Sequence, residues 1–369
     1  MIEKIVHPII KKKCKALCFI YPDTLLVFKN WKLYLYNISK QTMSNVVEIS
    51  TSYKRKICSK IRLLERKYGL DTIQAVKVNN DIVVIYEHRK FYRLSITDFT
   101  LTTIKYNNAD FYLQVLQLSL VGNNVFLGEY GYNPEKHEMS LYRYAVNEDR
   151  VYKVYTFAIG EINHIHNVIF NEKELCYYVF TGDFGNSVAI YAFDQDFKFV
   201  KKLAQGDQKY RACQALYHNQ SIYYISDTPF QYNYIYSFDL DSNELMKYDE
   251  INGSCIDGVI CNKNIYFSST VENETVEYNN SNNNYKYNLG KGIKNWFVCN
   301  YYFNVLNNHC IMFYKQKKDI FPMMPFKYGM YSYANNADMS QYLAINGVAV
   351  RKDDGRMLIF NKKDICELQ

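Results

Sequence analysis

Side chains capable of acid–base or metal chemistry come close together in the middle of the sequence. His164 and His166 stand two residues apart at the start of an apolar run, and Asp183 ends the next apolar run. Because side chains alternate along a strand, the two histidines share a face, and a hairpin returns Asp183 to the same end. Such a pair can divide into a base and an orienting partner, or it can chelate a metal ion.

The following segment repeats this arrangement with different side chains. Gln208, Tyr210 and Arg211 occupy the place of the histidines, and Asp227 occupies the place of Asp183. Arg211 suits bidentate binding of a carboxylate or phosphate, and an ion pair with Asp183 is the structural alternative. The predicted catalytic residues are His164, His166, Asp183, Tyr210, Arg211 and Asp227.

Acidic residues close other apolar runs in the same way. Glu87 and Glu129 end two earlier runs, and Glu272 and Glu274 follow a later one. In a radial repeat, such carboxylates would form a ring that could bind a cation, hold sugar hydroxyls or supply a general acid and base. Alternatively, they face solvent or bond to neighbouring backbone amides. The predicted substrate-binding residues are Glu87, Glu129, Gln208 and Glu272.

The runs that carry these residues belong to a repeat. Each copy has an apolar run, an Asn-containing turn and a second apolar run, as in IQAVKVNNDIVVIYE, VLQLSLVGNNVFLGE and CQALYHNQSIYYISD. Asn tolerates the positive φ of tight hairpin turns. Further strand-like runs follow most copies, and the period is roughly 40 to 50 residues, which is typical of propeller blades. We therefore predict an all-β fold, a single β-propeller domain over residues 1–369. It has seven four-stranded blades, with six or eight as alternatives.

One helix is predicted to interrupt the repeat, near residues 52–68. Apolar residues from Tyr53 to Tyr68 recur there at helical spacing, and Gly69 suits the stop. The opposite face is basic and includes Arg62 and Arg66. It is either a surface for a membrane or acidic polymer, or the solvated face of a helix packed on the propeller, and we expect the second.

Composition narrows the class of protein. The 37 Tyr and 22 Phe favour strands, and the net charge of +7 is too small to predict nucleic acid as a partner. Ten cysteines without a CxxC pair argue against a zinc ribbon and for reduced thiols. The sequence lacks a signal-peptide pattern and a long apolar stretch, so we expect a cytoplasmic protein without a transmembrane segment.

The run HIHNVIF, followed by TGD, QKYRA and SDTPFQYNYIYSFD, resembles the sialidase-like, BNR-repeat-like (Asp-box) β-propellers. The resemblance covers residues 60–275, and degenerate Asp-boxes would fall at 192–196 and 237–241. That group is often associated with surface-polysaccharide genes, so the resemblance implies a propeller with a glycan partner. It does not imply sialidase activity, because only Arg211 matches the arginines that a sialidase needs.

Three hypotheses follow for function. The first is a carbohydrate-active enzyme, of lyase or glycosidase type, acting on an acidic glycan that carries uronate or sialate groups. In the lyase form, Arg211 would bind the sugar's acid group and Asp183 would orient a histidine. His166 would then act as base and Tyr210 as acid. The second is a non-catalytic propeller that binds a glycan or a protein partner in polysaccharide biosynthesis. The third places the acids and histidines around a divalent cation.

Overall fold

The computed structural model describes residues 1–273 and 288–367. It confirms the predicted all-β fold: the chain is a seven-bladed propeller with four-stranded antiparallel blades. Within the described residues no helix is long and apolar enough to span a membrane. All ten cysteines are free thiols.

The blades follow one another along the chain. Blade 1 has the strands Lys15–Tyr21, Thr24–Lys29, Lys32–Asn37 and Thr42–Glu48. Blade 2 has Ile73–Lys77, Ile82–Glu87, Lys90–Ser95 and Leu101–Thr103. Blade 3 has Ser119–Val121, Asn124–Gly128, Met139–Ala145 and Arg150–Phe157. Blade 4 has His164–Asn171, Cys176–Gly182, Ala189–Phe193 and Phe199–Gln205. Blade 5 has Ala212–His218, Ser221–Ser226, Asn233–Asp239 and Leu245–Ile251.

The last two blades include strands from the start of the chain. Blade 6 has Gly258–Cys261, Asn264–Ser268, Phe297–Asn304 and His309–Lys317, with Ile2–Glu3 added in parallel at its outer edge. Blade 7 has Met330–Tyr333, Tyr342–Val348, Met357–Asn361 and, as its outer strand, Ile10–Lys12. A small hairpin, Lys105–Tyr106 with Ala109–Asp110, follows blade 2.

The chain divides into two compact units. The first consists of Met1–Ile73, Thr228–Tyr234 and Tyr248–Gln369, and the second of Gln74–Asp227 and Ile235–Lys247. The core of the first unit packs apolar side chains of blades 1, 6 and 7. The second unit contains the predicted cluster around His164 and has apolar cores between blades 2 and 3 and between blades 3 and 4.

The turns form as the sequence predicts. Asn219, Asn262 and Asn308 adopt φ of 47°, 55° and 54° between the first two strands of blade 5, the first two of blade 6 and the last two of blade 6. Asn79 acts differently, because its side-chain oxygen accepts a hydrogen bond from the backbone of Asp81 at 3.0 Å. Asparagine therefore supplies both the left-handed backbone and the side-chain acceptor that tight turns need.

The predicted helical insertion is present as two short helices, Tyr53–Cys58 and Arg62–Lys67. Ser52 caps the first helix by accepting a hydrogen bond from the Arg55 backbone at 3.4 Å. Gly69 follows the second helix with φ of 62°, as predicted for a stop. The other helical segments of the described chain are Met323–Phe326, Lys362–Cys366 and the 3₁₀ turns Gly185–Ser187, Gln208–Tyr210 and Ala337–Met339.

The expected orientation of this insertion is wrong. Tyr53 and Ile57, from the predicted apolar face, are exposed, whereas the Arg66 side chain is fully buried. Arg66 pairs with Asp319 at 2.5 Å and with Asp354 at 3.3 Å, and its Nε donates to a backbone carbonyl. Arginine can be buried here because carboxylates from other parts of the chain satisfy its planar fork of donors.

Candidate functional site

The two histidines lie at the start of the first strand of blade 4. His164 is opposite Gly182 and Ile165 is opposite Thr181, but Asn167 is opposite Phe180, so His166 is the extra residue of a β-bulge. Bulges re-aim side chains and are common beside active sites. Blade 5 has the same irregularity, because Cys213 is the extra residue of a β-bulge near the start of its first strand.

The imidazoles and the carboxylate that the sequence predicted to converge do meet. His164 Nε2 is 2.9 Å from His166 Nε2. Asp183 Oδ1 is 3.2 Å from the first of these nitrogens and 3.4 Å from the second. The side chains of His164 and His166 are 5% and 1% exposed, and that of Asp183 is 21% exposed. Three electron-pair donors thus converge on one small volume that opens to solvent beside Asp183.

The tautomer of His164 follows from its other ring nitrogen. His164 Nδ1 lies 3.0 Å from the backbone carbonyl oxygen of Gly131. A carbonyl only accepts, so Nδ1 carries a proton and donates it to Gly131, and Nε2 is the ring atom that faces Asp183. The ring of Tyr130 packs on His164 with a centroid separation of 4.2 Å and fixes its plane.

Arg211 connects blade 4 to blade 5 through two carboxylates. Its Nη2 is 2.9 Å from Asp183 Oδ1 and 3.3 Å from Asp227 Oδ2. The backbone N–H of Asp227 also donates to the Arg211 carbonyl at 2.9 Å. Cys213 Sγ donates to Asp227 Oδ2 at 3.3 Å, so a buried thiol completes this side of the cluster.

The environment sets the protonation of the group. Burial lowers the pKa of His166, and the nearby Asp183 only partly offsets this effect. Burial acts to raise the pKa of Asp183, but Arg211 and the two imidazoles outweigh it and lower that pKa well below its usual value. At neutral pH His166 is therefore neutral and Asp183 is ionised.

Gln208 and Tyr210 lie in the 3₁₀ turn that leads to Arg211. Gln208 Nε2 donates to the Asp183 backbone carbonyl at 2.7 Å. Tyr210 ends the 3₁₀ turn before Arg211, and its ring lies 5.0 Å from Lys209 Nζ. Gln208 therefore supports the cluster through the backbone.

Of the acids that the sequence predicted to form a ring, Asp183 and Asp227 share Arg211, and the others have partners of their own. Glu129 Oε2 accepts from the Ser140 backbone at 2.8 Å, and its carbonyl accepts from Ile165, which ties blade 3 to blade 4. Glu87 is buried at the end of the second strand of blade 2, opposite Lys90. The first unit contains Glu272, whose Oε1 accepts from Thr270, and Glu274 lies outside the described residues.

Several functional neighbours were not predicted. Tyr130, Gly131 and Cys213 contact the cluster. Gly182 leaves the space that His166 occupies, because a Cβ there would lie 2.7 Å from His166 Cε1. A sequence signal for this space does exist: Gly128, Gly182 and Ser226 are the small residues directly before the acids of blades 3, 4 and 5.

Comparisons with known proteins define the class of protein, and that class is the β-propeller. No protein-family model and no curated protein sequence matches the chain. Solved structures are similar in fold. Kuenenia stuttgartiensis hydrazine synthase superposes with a TM-score of 0.55 at 6% identity, covering 96% of this chain and 97% of the other. A chain of the mitotic checkpoint complex gives 0.54 at 8% identity, covering 96% and 91%.

A third similar structure is oligogalacturonate lyase in complex with manganese. It superposes with a TM-score of 0.52 at 10% identity, covering 92% of this chain and 91% of the other. At such identities, these likenesses show the propeller fold and nothing of the chemistry. Function has to be argued from the site itself.

Proposed function

We propose that this protein binds a glycan that carries acidic groups, at the cluster formed by His164, His166, Asp183 and Arg211. One observation carries the proposal: two imidazoles, a carboxylate and a guanidinium meet with contacts of 2.9 to 3.4 Å at the ends of strands. The Asp183 and Arg211 side chains keep 21% and 11% of their surface exposed. A convergent polar group with one open side suits a small polar ligand.

Aromatic side chains near the cluster support a sugar as that ligand. Tyr130 packs on His164, and the chain continues through Gly131 to Tyr132, which is 84% exposed. Phe184, directly after Asp183, is 45% exposed. Aromatic rings have flat apolar faces on which the C–H faces of sugars can stack. Charged groups flanked by exposed aromatics are therefore the combination that a carbohydrate site needs.

Two further observations favour an acidic glycan. The net charge of +7 attracts anionic ligands over neutral ones. The resemblance of residues 60–275 to sialidase-like propellers points to glycans, and oligogalacturonate lyase shows that this fold can host activity on an acidic sugar. With the cytoplasmic location expected from the sequence, the protein would act in making or remodelling surface sugars.

Binding is better supported than catalysis because two of the predicted acid–base groups are enclosed. The His166 and Asp227 side chains are 1% and 3% exposed, so neither reaches a ligand without a movement of the cluster. Hydrolysis by the pair Asp183 and Asp227 is disfavoured for the same reason. Elimination from a uronate is the second candidate function, because Arg211 and the imidazoles stand together as that reaction requires.

The test is mass spectrometry of the purified protein with pooled oligosaccharides of uronate, sialate and neutral types. We expect bound uronate or sialate species and no binding of neutral ones. New masses lighter by one water than hydrolysis products would establish elimination, and hydrolysis products would contradict the argument from burial. Absence of binding in every pool would refute the proposal and favour a protein partner.

Two aromatic variants locate the binding surface. Tyr132→Ala and Phe184→Ala should each weaken glycan binding by about two- to tenfold, since a lost stacking contact is worth roughly 0.5–1.5 kcal/mol. The matched control is Phe199→Ala, which removes a ring that is 48% exposed at the opposite end of blade 4. Equal binding by all three variants would place the glycan elsewhere.

A further inference from the structure

We propose that His164 Nε2, His166 Nε2 and Asp183 Oδ1 bind one divalent transition-metal ion. Their mutual separations are 2.9, 3.2 and 3.4 Å. Nitrogen and oxygen ligands lie about 2.0–2.2 Å from such an ion, which puts neighbouring ligands about 2.9–3.5 Å apart at angles of 90–110°. All three observed separations fall in this range.

The hydrogen bonds of the cluster also fit a cation. His164 donates through Nδ1 to Gly131, so its Nε2 is the ring atom that faces His166 and Asp183. Among the described residues, Asp183 Oδ1 is a buried oxygen with no well-aligned hydrogen bond, although Arg211 Nη2 lies 2.9 Å from it. A metal ion would be bound by this oxygen and by both imidazole nitrogens at once.

The surroundings hold these ligands as metal sites usually do. The Gly131 carbonyl orients the His164 ring, and Arg211 holds the Asp183 carboxylate through a contact of 2.9 Å. Partners of this kind fix the tautomer and the orientation of metal ligands. Two imidazoles with one carboxylate suit Zn²⁺, Mn²⁺ or Fe²⁺ and leave coordination positions for a ligand.

A second possible group, His166 with Cys213 and Asp227, is less suitable for an ion. The Cys213 thiol donates its proton to Asp227 Oδ2 at 3.3 Å. A metal ion would need a thiolate there, so its binding would have to displace this proton and break the hydrogen bond to Asp227. We therefore assign the ion to the side that includes His164.

A bound ion would also make the net charge of the cluster positive, which favours binding of an acidic ligand. The two carboxylates Asp183 and Asp227 outnumber the single guanidinium of Arg211. A divalent cation reverses this excess and leaves coordination positions open for a sugar carboxylate. Only this last consequence rests on the proposed function, because the ligand geometry holds without any glycan.

The test is calorimetric titration of untagged, metal-free protein with Zn²⁺ and Mn²⁺, and with Co²⁺ followed by visible absorption. We expect one ion per chain and a rise of the thermal midpoint with metal. His164→Gln and Asp183→Asn should each lower the affinity at least about tenfold. His137→Ala is the matched control, since it removes an exposed imidazole of the second unit and should change nothing.

Three outcomes would overturn this inference. They are no saturable binding by folded wild-type protein, wild-type affinity in both ligand variants, or loss of affinity in the His137 control. If one ligand variant does not fold, the affinity of the other variant and the stoichiometry of the wild-type protein still test whether these side chains bind one ion. Glycan binding by metal-free protein would leave the proposed function standing while removing the role of the ion. Metal binding by a protein that binds no glycan would support the metal site and refute the proposed function.

Discussion

Replacing Gly182 with alanine should push the His166 imidazole out of the cluster. The new Cβ would lie 2.7 Å from His166 Cε1 and 3.4 Å from Arg211 Cγ. Carbon atoms pack at about 3.5–4.0 Å, so the ring has to move by about 1 Å. Its Nε2 then leaves the position that it holds 2.9 Å from His164 Nε2. Metal ligands tolerate deviations of only about 0.2 Å, so we expect at least tenfold weaker binding of Zn²⁺.

Gly182→Ala should also lower the free energy of unfolding by about 1–3 kcal/mol, as overpacking of an interior does. Urea unfolding measures this loss, and calorimetry measures the affinity for Zn²⁺. Gly131→Ala is the matched control: it lies beside His164, but its Cβ would meet only Gln114 atoms at 3.9 Å. Wild-type stability and affinity in Gly182→Ala would refute the position assigned to His166. Equal losses in both variants would mean that any added methyl group disturbs the site.

Three further predictions concern charged groups. Arg66→Met should lower the free energy of unfolding by about 1–3 kcal/mol in urea, because it leaves the Phe326 carbonyl without its donor and removes one of the two cations beside both Asp319 and Asp354. Asp257→Asn should stabilise the protein at pH 8 and not at pH 4 in thermal unfolding. Arg211→Lys should weaken glycan binding by about tenfold or more in calorimetry, because an ammonium group cannot join two carboxylates as the planar fork does.

The sign of the Asp257 prediction follows from its pKa. Burial raises the pKa of Asp257 from 3.8 to about 7, although a hydrogen bond from Tyr333 and the charge of Lys15 act in the opposite direction. The raised pKa means that stability is complete below pH 3.8 and is lost as the pH rises to 7. The loss is at most about 4 kcal/mol, and the asparagine variant avoids it.

Each of these variants has a control or a contradicting result. Lys56→Ala removes an exposed partner of Glu48 at 2.5 Å, and its urea midpoint should stay close to that of wild type. An equally small change in Arg66→Met would show that burial adds nothing to that network. Asp241→Asn, at an exposed position, should have the same midpoint as wild type at both pH values. Wild-type glycan affinity in Arg211→Lys would exclude a role for the guanidinium geometry.

The local parts of the fold were predictable from the sequence. Apolar runs, Asn-containing turns and their period give the strands and the seven blades, because each blade is built from hairpins of nearby residues. The convergence of His164, His166, Asp183 and Arg211 was predictable for the same reason, since strand ends of neighbouring repeats meet.

Features that depend on distant partners were not predictable. The bulges at His166 and Cys213 depend on the register with the neighbouring strand, which alternation along one strand does not encode. The insertion was expected to bury its apolar face. Arg66 is buried instead, because the carboxylates of Asp319 and Asp354, far along the chain, pair with it. The role of Glu129 could not be assigned from its position alone, because its carboxylate accepts a hydrogen bond from the Ser140 backbone in its own blade.

The outer strand of blade 7 has a consequence for synthesis of the chain. Ile10–Lys12 pairs with the strand Met357–Asn361, which is synthesised much later, so the first of the two segments must wait for the second. Until that strand is made, Ile10–Lys12 has no partner strand. Contacts of such long sequence separation also form slowly. Mutations that weaken this pairing should therefore reduce the yield of folded protein in the cell more than they reduce the stability of protein already folded. Pulse-chase labelling followed by limited proteolysis would measure that difference.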